Sequence, residues 1–373
     1  MLLFWKLLRS LIFELEVGLI FMKRKTGLDL LRTFAILFVV GVHFFYHTDF
    51  YRVPVAGKNM IVQVALKWLF TMCVPLFMLL TGYLQTEKRP DSKYFKKLIP
   101  ILGVYLFYSI LSIIMRITYL NESKSILSWI KAILIFDADK YSWYINMYIG
   151  LFLLTPFLNM IHKGLNSAKD YKIFLFILVL LTGFPAFFNS LSAQTSVFKA
   201  LSFSDWWTKI YPVTYYFIGA YIKKYPVKVN KLLASISLGF VILLQTILTV
   251  FYSYNKIFVN VIGDYGSILI VAGAVLFFLI FYDIEIKNKH ISRLLGTISV
   301  LSLDIYLCSY ISDKLVYVFV MKNIFKSQQQ IMLYSVFIIM ASFLIAFVIS
   351  YLRCKAVRLK PIQNSKIYKT ISQ

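Results

Sequence analysis

Cysteine and acidic residues are scarce in this chain of 373 residues. Its three cysteines, Cys73, Cys308 and Cys354, have no zinc-ligand spacing, so we predict neither a disulfide framework nor a metal site. It has 16 Asp and Glu residues against 40 Lys and Arg residues, for a formal net charge of +24. The basic residues lie between apolar runs instead of along one amphipathic surface. This arrangement argues against nucleic acid as a partner and favours an anionic lipid bilayer.

Charged residues of both signs make up 15% of the chain, whereas hydrophobic residues make up 60%, and the mean hydropathy is +0.75. This composition excludes a water-soluble domain of this length. We therefore predict an all-α polytopic membrane protein with about ten transmembrane helices, since a spanning helix needs ~20 apolar residues. Nine or eleven spans remain open, because one stretch is short. The ten stretches lie near 30–50, 60–84, 98–118, 142–161, 173–190, 208–222, 232–252, 264–282, 295–320 and 330–352.

The distribution of Lys and Arg between the connecting segments predicts the orientation. With ten spans, the denser basic clusters fall on the side that holds both termini, near residues 23–25, 88–97, 223–231 and 353–360. By the positive-inside rule both termini are cytoplasmic, in a cell membrane that we take to be bacterial. Arg32 then lies near the cytoplasmic face and His43 in the outer half of the first span.

Three segments are distinguished along the chain. Residues 1–21 are apolar with interspersed charges, which suits an interfacial helix, although Met22 is an alternative natural start. Residues 22–353 form the transmembrane domain. Residues 354–373 form a basic cytoplasmic tail.

A stripe of titratable residues runs along the first span. Arg32 and His43 are eleven residues apart, so they project from the same helix face about 16 Å apart along the axis. Asp29 and His47 fall on that stripe as well. Because titratable groups are costly to expose to lipid, the stripe should face a protein interior or a wet cavity. The alternative is that Arg32 is a cytoplasmic anchor and His43 a satisfied interior histidine.

Several motifs along the chain occur in the order typical of one enzyme family. The first span has the Leu-Asp-x-Leu-Arg box at 28–32, and ten residues separate Arg32 from His43. Further boxes lie at 74–84 in the second span, at 143–156 with its aromatic residues and closing proline, and at 305–307 near the C-terminal end. In these respects residues 22–353 resemble the membrane-bound acyltransferase 3 family.

The resemblance implies acyl transfer from a cytoplasmic thioester, most often acetyl coenzyme A, to a hydroxyl of an envelope glycan. The donor is a substrate, and no permanently bound cofactor is expected. Two departures stand out. The basic run after the second span has lysines where the family is rich in arginine, and lysine lacks the bidentate fork of arginine. The box at 305–307 is followed by Cys308 and Ser309 where a histidine is common, which leaves any role of Ser309 open.

Roles for single residues follow from their chemistry and from the resemblance. A sugar hydroxyl is a poor nucleophile, and imidazole is the side chain best suited to take its proton at neutral pH. His43 is therefore the candidate general base, or alternatively a covalent acyl carrier, and Asp29 is its candidate orienting partner. The remaining candidates are Arg32, Lys96 and Lys97 for the donor, and His47, Trp143 and Tyr144 for the glycan acceptor.

Other functions remain as alternatives. A transporter or exporter of glycan or glycolipid intermediates would also have many spans, a polar stripe and basic inner loops, and a structural partner of a glycosyltransferase would have no activity of its own. The acceptor glycan is open, as is the choice between acetyl and a larger unit such as succinyl. The oligomeric state is also open, with a homodimer as one option.

Overall fold

The computed structural model describes residues 25–194, 203–325 and 327–359. Fifteen α-helices and a 3₁₀ turn, Thr208–Ile210, form these ranges, which contain no β-strand. The helices are α1 (Thr26–His47), α2 (Gly57–Thr71), α3 (Cys73–Leu84), α4 (Ser92–Lys96), α5 (Leu98–Thr118), α6 (Ile126–Leu134), α7 (Trp143–Gly164), α8 (Ala168–Gln194), α9 (Tyr211–Lys224), α10 (Lys231–Ser253), α11 (Ile268–Phe281), α12 (Lys289–Val300), α13 (Ser302–Asn323), α14 (Gln328–Leu333) and α15 (Ser335–Leu359). Residues 1–21 and most of the basic tail lie outside the described residues.

The all-helical, multi-pass character is confirmed, but the count of ten spans is not. Within the described residues seven helical segments are long and apolar enough to cross a membrane, or eight if one bent pair is a single span. The bent pair is α12 and α13, which meet at 72°. Helices α9 and α11 have 14 residues each, about 21 Å, which is shorter than a hydrocarbon core of about 30 Å. Helix length therefore explains the difference.

Helix α1 lies at the centre of the bundle. In its most apolar window 78% of the residues are buried, against 22% in α8 and in α10. It packs against α2, α3, α11, α12, α13 and α15. Because α1 is surrounded by protein, its stripe of titratable side chains faces other helices instead of lipid.

The second predicted span is broken between α2 and α3. This span contains Pro75, and the helix is interrupted at Met72, three residues earlier. Proline has no N–H to bond the carbonyl four residues before it, which is that of Thr71, the last residue of α2. The break separates α2, which packs on α1, from α3, which packs on both α1 and α9.

Two glycines bring α3 and α9 into backbone contact. A Cβ on Gly82 would lie 1.9 Å from the carbonyl oxygen of Tyr216, and a Cβ on Gly219 would lie 2.1 Å from that of Leu79. Any side chain at either position would therefore push the helices apart. Close approach through small residues is a common way of packing helices in membranes, where lipid provides little hydrophobic driving force.

Candidate active site

His43 pairs with a carboxylate on a distant helix. Its Nδ1 lies 2.9 Å from Oδ2 of Asp313, which projects from α13. His43 is 7% exposed and Asp313 is fully buried. An ionised carboxylate can only accept hydrogen bonds, so Nδ1 of His43 carries the hydrogen and Nε2 keeps its lone pair. Nε2 has no hydrogen-bond partner among the residues that the structure describes, so it is available to accept a proton.

Asp313 accepts two further hydrogen bonds. The hydroxyl of Tyr141 donates to Oδ2 at 3.1 Å, and the hydroxyl of Ser342 on α15 donates to Oδ1. Three donors around one buried carboxyl offset part of the cost of removing its charge from water. The negative charge is therefore held in place opposite His43.

His47 joins this network through Tyr141. Nε2 of His47 lies 2.6 Å from the hydroxyl of Tyr141. The single proton of that hydroxyl is already donated to Asp313, so His47 must donate from Nε2. The order of donation is then His47 to Tyr141 to Asp313. His47 thus contributes to the orientation of the same carboxylate that fixes His43.

The loop before α7 positions Tyr141. The carboxyl of Asp139 accepts hydrogen bonds from the backbone N–H of Tyr141 at 3.0 Å and from that of Ser142 at 2.8 Å. Burial raises the pKa of this carboxyl, and the hydrogen bonds from Ser142 and Tyr141 oppose that rise. Lys140 adopts a left-handed conformation with φ of 67°. The resulting tight turn stacks the Tyr141 ring on His43, with 3.8 Å between ring centroids.

His43 lines a cavity of about 860 Å³, which we call the His43 cavity. The cavity reaches exposed residues, including Lys209 and Asp264, so it opens to the surroundings. Polar, aromatic and basic side chains dominate its wall. Besides His43 they include Tyr46, His47, Cys73, Glu122, Lys140, Tyr141, Trp143, Lys209, Tyr211, Asp264, Tyr265, Tyr306, Tyr310 and Lys314.

Arg32 lines a second cavity of about 210 Å³, which we call the Arg32 cavity. Nη1 of Arg32 donates a hydrogen bond to the hydroxyl of Ser299 on α12 at 2.8 Å. The other lining residues are mainly apolar or uncharged polar side chains. They are Phe77, Leu80, Thr81, Leu84, Gln85, Ile101, Tyr144, Ile145, Tyr148, Ser302, Leu303 and Tyr306.

The predicted acceptor residues divide between the two cavities. His47 and Trp143 line the His43 cavity. Tyr144 instead lines the Arg32 cavity. Successive helical residues point about 100° apart, which explains how neighbouring aromatic residues reach different cavities.

Three predicted residues lie away from both cavities. Lys96 ends α4 and is exposed, and Lys97 follows it. Neither lines the Arg32 cavity, although Ile101, one helical turn beyond Lys97, does. Asp29 is buried near the beginning of α1, about 21 Å along the axis from His43. The carboxylate that contacts His43 is that of Asp313.

Sequence reasoning missed Asp313 and Tyr141. Asp313 carried a signal, because a carboxylate within an apolar helix is uncommon and marks a polar interior. The other carboxylate on α13, Asp304, has a different partner. It forms an ion pair with Arg353 of α15 and accepts a hydrogen bond from the hydroxyl of Tyr108. Tyr141 gave no comparable signal, since aromatic residues are common near membrane interfaces.

A family model described as an acyltransferase domain matches residues 25–351. The chain belongs to the acyltransferase 3 family. The resemblance drawn from the motifs is therefore confirmed, and this acyltransferase 3 protein is a multi-pass membrane acyltransferase. It matches no curated protein and no solved structure.

Proposed function

We propose that this protein is an O-acetyltransferase of the bacterial cytoplasmic membrane. It transfers acetyl from acetyl coenzyme A to a hydroxyl of a cell-surface or capsular polysaccharide or of its lipid-linked precursor. The observation that carries the proposal is the contact between His43 Nδ1 and Asp313 at the wall of a cavity large enough for a sugar. That contact leaves Nε2 of His43 as a base.

In the proposed reaction the acceptor hydroxyl attacks the thioester carbonyl. Nε2 of His43 takes the hydroxyl proton while the new carbon–oxygen ester bond forms. The carbon–sulfur bond then breaks, and the coenzyme A thiolate takes the proton back from His43. Asp313 stabilises the imidazolium that exists between these steps, because a fixed carboxylate at 2.9 Å offsets its charge.

The donor is assigned to the Arg32 cavity. A guanidinium is the protein group best suited to hold phosphate or carbonyl oxygens, since it donates several hydrogen bonds in a fixed plane. The positive-inside rule puts this end of α1 at the cytoplasmic face, where acetyl coenzyme A is made. The apolar part of the cavity wall suits the pantetheine arm.

The acceptor is assigned to the His43 cavity. Its wall contains Trp143, which stacks on Tyr265 with 5.6 Å between ring centroids and presents an exposed indole. Flat aromatic surfaces pack against the apolar faces of sugar rings, and the neighbouring lysines and carboxylates can bond sugar hydroxyls. A sugar chain can enter from the exposed rim.

The test compares two histidine variants in the host. We expect His43→Gln to abolish acetylation of one class of envelope glycan, as measured by mass spectrometry of the purified glycans. His162→Gln is the matched control, because His162 is also buried and lies 2.8 Å from a tyrosine hydroxyl, that of Tyr171, but lines neither cavity. Both proteins must be present in the membrane in equal amounts. An unchanged glycan pattern in His43→Gln cells would overturn the proposal.

The alternative function, a transporter of glycan intermediates, predicts different results. A transporter lacking His43 would still move its substrate, and the wild-type protein would not transfer label from acetyl coenzyme A. Incubating the purified protein with radiolabelled acetyl coenzyme A and host glycan separates the two functions. Mass spectrometry of the acid-quenched protein then separates the base from the acyl carrier, since only a carrier leaves acetyl on the peptide containing His43.

A further inference from the structure

The two cavities meet at a single side chain. Tyr306 of α13 lines both the Arg32 cavity and the His43 cavity, and the two sets of described lining residues have no other member in common. Tyr306 is 6% exposed. A donor bound beside Arg32 must therefore pass this ring to bring its thioester to His43.

Tyr306 is held in position by two contacts. Its hydroxyl donates a hydrogen bond to the backbone carbonyl of Tyr141, and its ring lies edge-on to that of Tyr144 with 5.5 Å between centroids. Tyr144 lines the Arg32 cavity, and Tyr141 lines the His43 cavity. The ring of Tyr306 thus lies between the residues that form the facing ends of the two cavities.

We propose that Tyr306, packed on Tyr144, is a movable partition between a donor compartment and an acceptor compartment. The proposal rests on the proposed function, because it takes the thioester to enter beside Arg32. The thioester reaches His43 when the Tyr306 side chain turns away from the Tyr141 carbonyl. In the closed position the ring separates the thioester from water in the larger cavity.

The partition matters chemically because His43 can activate water as readily as a sugar hydroxyl. In that side reaction the water oxygen bonds the acetyl carbon, the carbon–sulfur bond breaks, and acetate and coenzyme A are released. Acetyl coenzyme A is then consumed without product. Active sites that exclude water suppress such hydrolysis of reactive groups.

Tyr306 also connects the partition to the base. The carbonyl that it holds belongs to Tyr141, whose ring stacks on His43 and whose hydroxyl donates to Asp313. When the Tyr306 side chain turns away, the backbone carbonyl of Tyr141 loses this hydrogen bond. Tyr141 and Asp313 are the two residues that set the orientation of His43. The partition and the base are therefore coupled through one peptide group.

The first experiment measures acetate release and acetyl transfer side by side. In Tyr306→Ala we expect the ratio of hydrolysis to transfer to rise by about tenfold or more, since water reaches the thioester. Tyr306→Phe keeps the ring and loses the hydrogen bond, so its ratio should lie between the two. Tyr282→Ala is the matched control, because Tyr282 is also buried and donates to a backbone carbonyl, that of Val227, outside both cavities. Equal ratios in wild-type and Tyr306→Ala protein, with transfer intact, would overturn the partition alone.

A second experiment needs no activity and uses Cys73, which lines the His43 cavity. Cys308 and Cys354 are replaced by alanine, and a membrane-impermeant sulfonated maleimide is added to vesicles of either orientation. When the maleimide is added on the side of the membrane nearer Arg32, we expect Cys73 to be protected from labelling in the protein that retains Tyr306. In Tyr306→Ala we expect Cys73 to be labelled at least about tenfold faster. Equal labelling from that side in both proteins would show that no partition exists. A wild-type protein that never consumes acetyl coenzyme A but shows this protection would overturn the proposed function and leave the partition standing.

Discussion

Nδ1 of His43 lies 2.9 Å from Oδ2 of Asp313, and 270 positions of sequence separate the two residues. One residue lies on the first described helix and the other on the third from last. Their contact fixes which imidazole nitrogen carries hydrogen, and so which nitrogen can take a proton from a substrate.

Replacing Asp313 by asparagine should greatly reduce acetyl transfer. An asparagine amide can donate to Nδ1, which would favour the tautomer with hydrogen on Nε2 and remove the base. The analogous change in a serine protease triad lowers kcat by about 10⁴, and we expect a loss of about 10² to 10⁴ here. The measurement is kcat for transfer from labelled acetyl coenzyme A, normalised to folded protein.

Asp304→Asn is the matched control for this change. Asp304 is a second buried carboxylate on α13, and it pairs with Arg353 instead of a histidine. Asparagine at this position should lower thermal stability and leave kcat per folded molecule within a few-fold of wild type. A similar loss of kcat in both variants would show that Asp313 acts only through stability.

Arg32→Ala should raise the KM for acetyl coenzyme A more than it lowers kcat. A charge-assisted hydrogen bond contributes about 1.5 to 3 kcal/mol, which corresponds to a change in KM of about 10- to 160-fold. Arg32→Lys keeps the charge and loses the planar fork, so its KM should be intermediate. Arg293→Ala, which removes an exposed arginine of α12, is the control. An unchanged KM in Arg32→Ala would contradict the assignment of the donor to the Arg32 cavity.

The residues of α1 show what the sequence could predict. Arg32 and His43 belong to one helix, so local periodicity was enough to align them and to predict that they face protein. Asp313 lies on α13, and eleven helices separate α13 from α1 along the chain, so no local pattern specifies its contact with His43. Asp29 was the carboxylate on the same helix as His43, and helix geometry puts it about 21 Å away along the axis.

Helix count was the part of the fold that hydropathy predicted least well. Composition identifies apolar stretches, but it does not set where a helix begins or bends. The stretch at 295–320 divides at Leu301 into α12 and α13, and the stretch at 208–222 contains a helix of 14 residues. Such breaks depend on tertiary contacts that a single sequence does not reveal.

Gly219→Ala should destabilise the bundle. A Cβ at this position would lie 2.1 Å from the Leu79 carbonyl oxygen, so α3 and α9 must separate. Overpacking of this kind costs about 1 to 3 kcal/mol. The measurement is the thermal unfolding midpoint in detergent. Gly239→Ala is the control, because nothing lies within 4 Å of a Cβ there, and its midpoint should be unchanged or slightly raised.

The loop that follows α5 should loosen at acidic pH. Glu122 accepts two hydrogen bonds from the Arg116 guanidinium, at 3.0 and 2.7 Å, and these lower the pKa of the Glu122 carboxyl below its ordinary value of 4.5. A carboxyl with a lowered folded pKa stabilises the fold above pH 4.5, and that stability is lost as pH falls through the folded pKa.

Hydrogen exchange of residues 119–125 tests this pH dependence. At pH 7 we expect Glu122→Gln to exchange about twofold to fivefold faster than wild type, since the pair contributes at most about 1 kcal/mol. The difference should disappear only as pH falls through the folded pKa of Glu122, which lies below 4.5, because the wild-type carboxyl is then protonated. Glu87→Gln, which removes an exposed partner of Lys163, should show no such difference in this loop. A difference that persists at low pH would contradict the assignment.

Because the chain bends at Leu301, one continuous segment contributes residues to both the Arg32 cavity and the His43 cavity. Ser299, just before the bend, accepts a hydrogen bond from Arg32. After the bend, Tyr306 lines the His43 cavity and Asp313 contacts His43. Tyr306 and Asp313 are seven residues apart, about two helical turns. Deleting one residue between them would rotate Asp313 by about 100° relative to Tyr306. Segment 302–313 should therefore tolerate no change of length.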